Sequence, residues 1–227
     1  MLSGIIASTQ IEADLVIKQL SEKEEISIQG KYFYKGSLGK NIHAVICICS
    51  IGKANAAHGT ALLIEKFKPD FVWNIGIAGA YPSSGLKIGD VVIAKKEIYG
   101  DEGLMAKNGF FTIKEILGYT ENDFPMFVPE KLSNSMVKGN FVTVSTCTGT
   151  LEKGKEIEKR FNAICENMEG AAIANICALS GIPVAEIRGI SNIIEDRTAE
   201  PLNKATIIKA AGNAQRFLLE HIEQGGA

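Results

Sequence analysis

The sequence predicts an α/β fold, a three-layer sandwich with a central twisted mixed sheet flanked by helices, formed by residues 1–227 as a single domain. Two observations lead there. Apolar runs of strand length alternate with segments of helical periodicity from one end to the other. Two early apolar runs meet at Gly39–Lys40–Asn41, a turn that makes a hairpin plausible and the sheet mixed rather than purely parallel. The composition is 46% hydrophobic and 22% charged, which suits a packed core under a solvated surface. A chain of 227 residues buries enough surface to need no disulfide or metal staple.

The elements follow in order. Residues 2–8 (LSGIIAS) read as a buried strand, and 11–20 as a helix with Ile11, Leu15, Val16 and Leu20 on one side. Residues 26–35 and 42–49 read as strands. A helix over 53–67 ends before Pro69, and FVWNIGIAGA then forms a strand running into a glycine-containing loop. After the Gly89–Asp90 turn comes a strand at 90–99. Residues 100–128 scatter Gly, Asn and Pro among aromatics and read as an irregular excursion or flap near the site. Beyond Pro129 the expected order is a short helix, a strand at 140–146, helices at 151–161 and 168–180, and a strand at 183–190. A final helix over 203–222 carries Ile208, Ala211, Ala214 and Leu218 at helical spacing. In such sheets the site lies where strands end and loops begin.

Charge excludes some partners. The formal net charge is -2 with both signs interspersed, so no basic face is offered to nucleic acid or an anionic membrane. No apolar run approaches the roughly 18 residues that span a bilayer, and the N-terminus lacks the pattern of a signal peptide. A soluble, cytoplasmic protein is expected. The five cysteines fit neither a C-x-x-C pair nor a zinc site, so reduced, mostly buried thiols are expected, Cys47 and Cys49 on one face of a strand. The three histidines, 43, 58 and 221, read as ordinary surface or strand residues.

Three places could carry chemistry. Glu12 follows the first strand at the start of a helix, where a carboxylate could hold a water; a solvated first-turn acid is the alternative. Gly76–Ile77–Ala78–Gly79 lets a ligand approach the backbone. Asn167–Met168–Glu169–Gly170 puts an acid at the mouth of an apolar helix, where a helix cap stays open as an alternative. Arg188 ends an apolar strand, where a guanidinium either finds an anion or bears the cost of desolvation. There is no G-x-S-x-G and no interpretable hydrolase triad.

Together GIIASTQIEADLV, SIGKANAAHGTALLIEKFKPDFVWNIGIAGA, LKIGDVVIA and ENMEGAAIANICALSGIPVAEIRGISN resemble the purine nucleosidase and nucleoside phosphorylase family. The resemblance is nearest to the methylthioadenosine/S-adenosylhomocysteine nucleosidases and, in that neighbourhood, the futalosine hydrolases. It implies homo-oligomers, a small purine nucleoside as substrate, and no metal or organic cofactor. It matches Glu12 to the acid that activates water, Glu169 to the acid that grips the ribose hydroxyls with Met168 beside the sugar, and Arg188 to an arginine near Glu12.

Departures narrow the expectation. The aminopurine nucleosidases carry Ser-Asp where this chain has Ser191–Asn192, and an amide suits O6 and N7 of a 6-oxopurine. An amide is no general acid, so protonation of the leaving base lacks a donor. Ile77 replaces a serine that helps hold phosphate in phosphorylases, which favours hydrolysis. Thr148–Gly149–Thr150, together with Gly79 in GIAGA and with NMEGA and GISN, is the futalosine-hydrolase pattern, which implies release of hypoxanthine from futalosine in the alternative menaquinone pathway. Arg197 is the candidate to meet a carboxylate on the 5′ side, with a surface arginine as the alternative. A methylthioadenosine/S-adenosylhomocysteine-type nucleosidase, a 6-oxopurine nucleoside phosphorylase and a non-catalytic nucleoside-binding protein are the other readings.

Overall fold

A computed structural model describes residues 1–39, 42–118, 121–133, 136–198 and 203–224. The chain runs β1 (Leu2–Ala7), α1 (Gln10–Gln19), β2 (Ser21–Ile28), β3 (Lys31–Leu38), β4 (Ile42–Ile48), α2 (Lys53–Phe67), β5 (Phe71–Ala80) and β6 (Val91–Tyr99). It continues β7 (Gly103–Ala106), β8 (Gly109–Thr112), α3 (Ile113–Leu117), β9 (Asp123–Pro125), α4 (Glu130–Ser133) and β10 (Val137–Thr143). Last come α5 (Leu151–Phe161), β11 (Ala163–Asn167), α6 (Gly170–Leu179), β12 (Val184–Ile193) and α7 (Lys204–Glu223).

The main sheet runs β11-β10-β6-β12-β5-β1-β4-β3-β2, with β9 on β6. β1 lies parallel to β4 and β5, and β12 parallel to β5, while β12–β6 and β2–β3–β4 are antiparallel. The sheet is therefore mixed, as expected. Beyond that expectation, β11 pairs with both β10 and β5, which closes β5, β12, β6, β10 and β11 into a ring.

Strand alternation separates two cores. Val72 and Ala78 of β5 and Val184 and Ile190 of β12 join one cluster with α6 residues Ala171–Ala174. Trp73 and Ile75, Ala185 and Ile187 face the other, with Val16 of α1 and Leu218 of α7. Cys47 and Cys49 fall in the first cluster together, as strand spacing predicts.

Several local readings change. The stretch 26–35 is two strands, because Gln29 (φ 48°) and Gly30 (φ 76°) make a turn with both central residues left-handed; such turns fit hairpin twist, but Gln-Gly is a weaker signal than Asn-Gly. The turn tip at residues 40 and 41 lies outside the described residues, while the β3–β4 hairpin itself is present. α1 buries Glu12, Ala13, Val16 and Ile17 and leaves Ile11 exposed. Ile208 is likewise exposed on α7, so its buried stripe starts at Ala210. His221, expected at the surface, is buried with its ring 5.4 Å from that of Trp73. Residues 100–128 hold a small hairpin, a short helix and β9, with Phe110, Phe124 and Met126 buried. No helix among the described residues is long and apolar enough to cross a membrane.

Candidate active site

The C-terminal ends of the adjacent strands β1, β5 and β12 gather the residues singled out by sequence. β1 hands the chain to Ser8 and Thr9, and α1 starts there, so Glu12 in its first turn turns back over the sheet. It is 4% exposed, which removes the solvated first-turn alternative. Its two oxygens are used differently. Oε2 accepts from Ser8 Oγ at 2.8 Å, Thr9 Oγ1 at 2.7 Å and the Thr9 amide at 2.9 Å. Among the described residues Oε1 accepts from one donor, the Ile77 amide, at 3.0 Å, which leaves it a lone pair able to accept from a water. Ile77 therefore contributes its backbone, with its carbonyl accepting from Arg188 Nη1 at 3.3 Å.

Gly76 explains how close these groups stand. A Cβ there would lie 2.4 Å from Arg188 Nη1 and 2.6 Å from Glu12 Oε1. Arg188 is 1% exposed and finds its anions: Nε donates to Glu186 Oε1 at 2.6 Å, and Nη1 lies 3.8 Å from Glu169 Oε2. Nη2 reaches Asn74 Oδ1 at 3.3 Å and Asn167 Oδ1 at 3.4 Å. Burial opposes its charge, but Glu186, Glu169 and Glu12 outweigh that and hold the guanidinium protonated above its ordinary range.

Glu169 sits at the N-cap of α6 without capping it by its side chain. Asn167 does that work, Oδ1 accepting from the amides of Glu169 (2.9 Å) and Gly170 (2.7 Å). The Glu169 carboxylate is thus released to accept from the Gly52 amide at 2.9 Å. Burial pushes its pKa up, against the pull of Arg188 and the Gly52 amide. The Gly52 turn is clamped from β3, where buried Lys31 donates to the Cys49 carbonyl and to Asn55 Oδ1, and Asn55 Nδ2 donates to the Ile51 carbonyl.

Beyond Glu169 a small cleft is lined by Gly79, Cys147, Thr148, Glu166, Met168, Asn192 and Arg197. Asn192 Oδ1 accepts from Ser191 Oγ at 2.9 Å, and a Cβ on Gly79 would lie 2.9 Å from its Nδ2. The absence of a side chain at Gly79 leaves room for that amide. Met168 takes a weak contact from Cys147 Sγ at 3.5 Å. Arg197 lies in this cleft with Glu166 and in the adjoining groove with Asn203 and Thr206; neither cleft nor groove is lined by Glu12 or Glu169. Thr150 caps α5, accepting from the Lys153 amide. It lines an adjoining cavity of about 410 Å³ with Met105 and Phe110 of the excursion, and that cavity shares Cys147 and Thr148 with the cleft.

Sequence reading missed Glu166, the buried acid of β11. Oε1 accepts from the Thr148 amide at 2.7 Å, and Oε2 from Thr148 Oγ1 at 2.6 Å and Tyr81 OH at 3.1 Å. Oε1 keeps one acceptor position. Burial raises its pKa, while Thr148, Tyr81 and Arg197 pull it back in part. The available signal was an acid inside the apolar run AICEN, three residues before Glu169. Among the described residues no group of three His, Cys, Asp or Glu converges as a metal site would require.

This architecture is the nucleoside phosphorylase/hydrolase fold. Residues 3–223 match the family model of the phosphorylase superfamily, and the chain belongs to that superfamily. It is 34% identical over 230 residues to a 5′-methylthioadenosine/S-adenosylhomocysteine nucleosidase of Staphylococcus aureus (strain JH9), covering 97% of this chain and 99% of that one. It is 29% identical over 236 residues to the nucleosidase of the same name from Maridesulfovibrio salexigens, covering 99% and 100%. Among solved structures it resembles the methylthioadenosine/S-adenosylhomocysteine nucleosidase of Colwellia psychrerythraea in complex with adenine. That match has a TM-score of 0.84 and 29% identity, over 99% of this chain and 95% of that chain.

Proposed function

We propose that the protein is a purine nucleosidase, hydrolysing the N-glycosidic bond of a nucleoside, and that its base is a 6-oxopurine, with futalosine the substrate to which the sequence resemblance points. The pairing of Asn192 with Glu166 in one cleft carries the base assignment. A 6-oxopurine presents acceptors at O6 and N7 and a donor at N1–H. Asn192 Nδ2 supplies donors for the first two, and the free position on Glu166 Oε1 accepts from the third. A 6-aminopurine reverses the pattern at the 6-position and at N1, and a site built for one pattern rejects the other.

The chemistry follows from the sugar end. As the C1′–N9 bond breaks, positive charge develops on the ribose, and the Glu12 and Glu169 carboxylates stabilise it. Glu169 also accepts from the ribose hydroxyls. Water attacks C1′ and yields its proton to Glu12 Oε1, late in the step. The base leaves with the bonding electron pair. Its charge spreads over N7 and O6, where Asn192 donates and Arg197 supplies a cation, so no side-chain acid has to protonate it first. Arg188 is committed to Glu186, Ile77, Asn74 and Asn167, which among the described residues leaves no spare cation beside Ile77 for phosphate. Hydrolysis is therefore favoured over phosphorolysis.

The relatives favour a second reading, hydrolysis of methylthioadenosine and S-adenosylhomocysteine. One assay separates the two. Futalosine, methylthioadenosine and inosine are each incubated with the protein, with and without phosphate, and the released base is identified. Hypoxanthine from futalosine without phosphate is expected. Adenine release from methylthioadenosine in preference would establish the second reading, and dependence on phosphate would overturn hydrolysis. The family resemblance also supports a homo-oligomer; Leu104 and Met105 of β7, 52% and 66% exposed, offer apolar surface to a second copy, and light scattering would give the mass.

A further inference from the structure

Behind Arg188 lies a group of acids that the reaction above does not use. Glu97 at the end of β6 and Glu186 on β12 are both 0% exposed. Their carboxylates converge on the start of α6, where a Cβ on Gly170 would lie 2.1 Å from Glu97 Oε1 and 2.8 Å from Glu186 Oε1. That convergence accounts for a glycine in the first turn of α6, a residue type that weakens helices.

The surrounding partners are unequal. Glu186 Oε1 takes Arg188 Nε at 2.6 Å. Among the described residues the donors to Glu97 are neutral, Thr143 Oγ1 to Oε2 at 2.8 Å and Asn167 Nδ2 to Oε1 at 2.5 Å. Glu186 Oε2 has no hydrogen-bond partner, alone among buried carboxylate oxygens of the described residues. Glu12, Glu97, Glu169 and Glu186 would, if all ionised, set four negative charges around the one guanidinium of Arg188. Buried like charges at this spacing do not ionise together. Of the two carboxylates that meet at Gly170, Glu186 has the ion pair with Arg188 and Glu97 has none, so the proton belongs on Glu97, beside a Glu186 whose Oε2 lacks a donor.

We infer that Glu97 and Glu186 form a carboxylic acid–carboxylate pair holding one proton, and that Glu97 is a positioning residue for the site. Through Asn167 it fixes the backbone of Glu169, since Asn167 turns its amide nitrogen to Glu97 and its oxygen to the Glu169 and Gly170 amides. Through Glu186 it fixes the direction of Arg188. Burial, then the charge of Glu186, push the Glu97 pKa well up; Thr143, Arg188 and Asn167 pull it back by less. The titratable groups facing it are Glu186 and Arg188 of β12, Cys165 of β11, Tyr81 and Tyr99.

The kinetic half of this inference rests on the nucleosidase reading; the proton does not. A folded-state pKa above the ordinary value means that folding takes up a proton between the two values. The full chain and its Glu97→Gln variant are compared near neutral pH by the pH dependence of their unfolding free energy and by the infrared band of a neutral carboxylic acid. The expected result is one proton fewer taken up by Glu97→Gln and loss of the acid band. Equal proton uptake and an unchanged band would overturn the pair.

For positioning, Glu97→Leu should lower kcat/KM for base release about 10²-fold, the order of cost of a misplaced catalytic group. Glu97→Gln, which keeps an acceptor for Asn167 and a donor for Glu186, should recover most of that loss. Equal loss in both variants, or loss in neither, overturns the positioning role. Should Glu97→Leu not fold, loss of activity in a folded Glu97→Gln overturns it alone. Failure of the wild type to release any base sinks the nucleosidase reading and leaves the proton measurements standing.

Discussion

The two oxygens of Glu12 have separate duties, and the separation is set by its neighbours. Three donors hold Oε2, while Oε1 meets one amide and the gap above Gly76. Gly76→Ala would press a methyl into that gap, against groups buried too tightly to retreat. A misplacement near 1 Å costs about 10²-fold in rate, so a loss of at least that size in kcat/KM is expected, with the unfolding midpoint and substrate-free fold checked by circular dichroism. The raised pKa of Glu169 has its own consequence. In the proposed reaction Glu169 grips the ribose in its ionised form, so the acid limb of the kcat/KM profile should lie above the range of an ordinary carboxylate. A limb at or below that range would show that another group controls it. At this scale Glu12, Glu169, Arg188 and Asn192 were legible because each stands beside a loop or at the end of an apolar run. Glu166 was not, because its importance comes from Thr148 and Tyr81, distant in sequence and joined to it only by the closing of the sheet.

Elements explain why two threonines of one tripeptide differ. Thr148 gives both its amide and its hydroxyl to Glu166, whereas Thr150 faces α5 and caps it. Thr150→Ala should therefore cost about 1 kcal/mol of stability and leave KM near the wild-type value. Thr148→Ala removes a donor that restrains the Glu166 pKa and should raise KM for the nucleoside. Thermal unfolding and initial rates on the two variants check the contrast, and a KM effect confined to Thr150→Ala would reverse the assignment. The same logic applies to the turn before α2. Lys31 on β3 clamps it from a distance that no local pattern in residues 49–55 shows. The alternation of strands and helices was readable because periodicity is local. The strand β11 was not, since five residues between two helices make sense only against β10 and β5.

At the scale of the molecule, the site is held at a cost to stability that depends on pH. Glu97, Glu166 and Glu169 all have pKa values raised chiefly by burial, from a reference of 4.5. For an acid shifted upward, the folded state binds the proton more tightly than the unfolded chain. The stabilisation is complete below the reference value and is lost as pH rises through the folded-state value. Asp14, Asp101, Glu115 and Asp123 are shifted down by lysine, arginine or backbone partners. Their contribution has the opposite sign and disappears only as pH falls through their lowered values. Together the two groups leave stability greatest from the reference value of 4.5 up to the raised folded-state values of the buried acids. The unfolding midpoint should fall from there towards pH 9. Glu169→Gln removes one of the buried charges responsible, so it should raise the midpoint at alkaline pH while abolishing base release. A midpoint that climbs steadily from pH 5 to pH 9 would mean that the buried acids are ionised throughout that range.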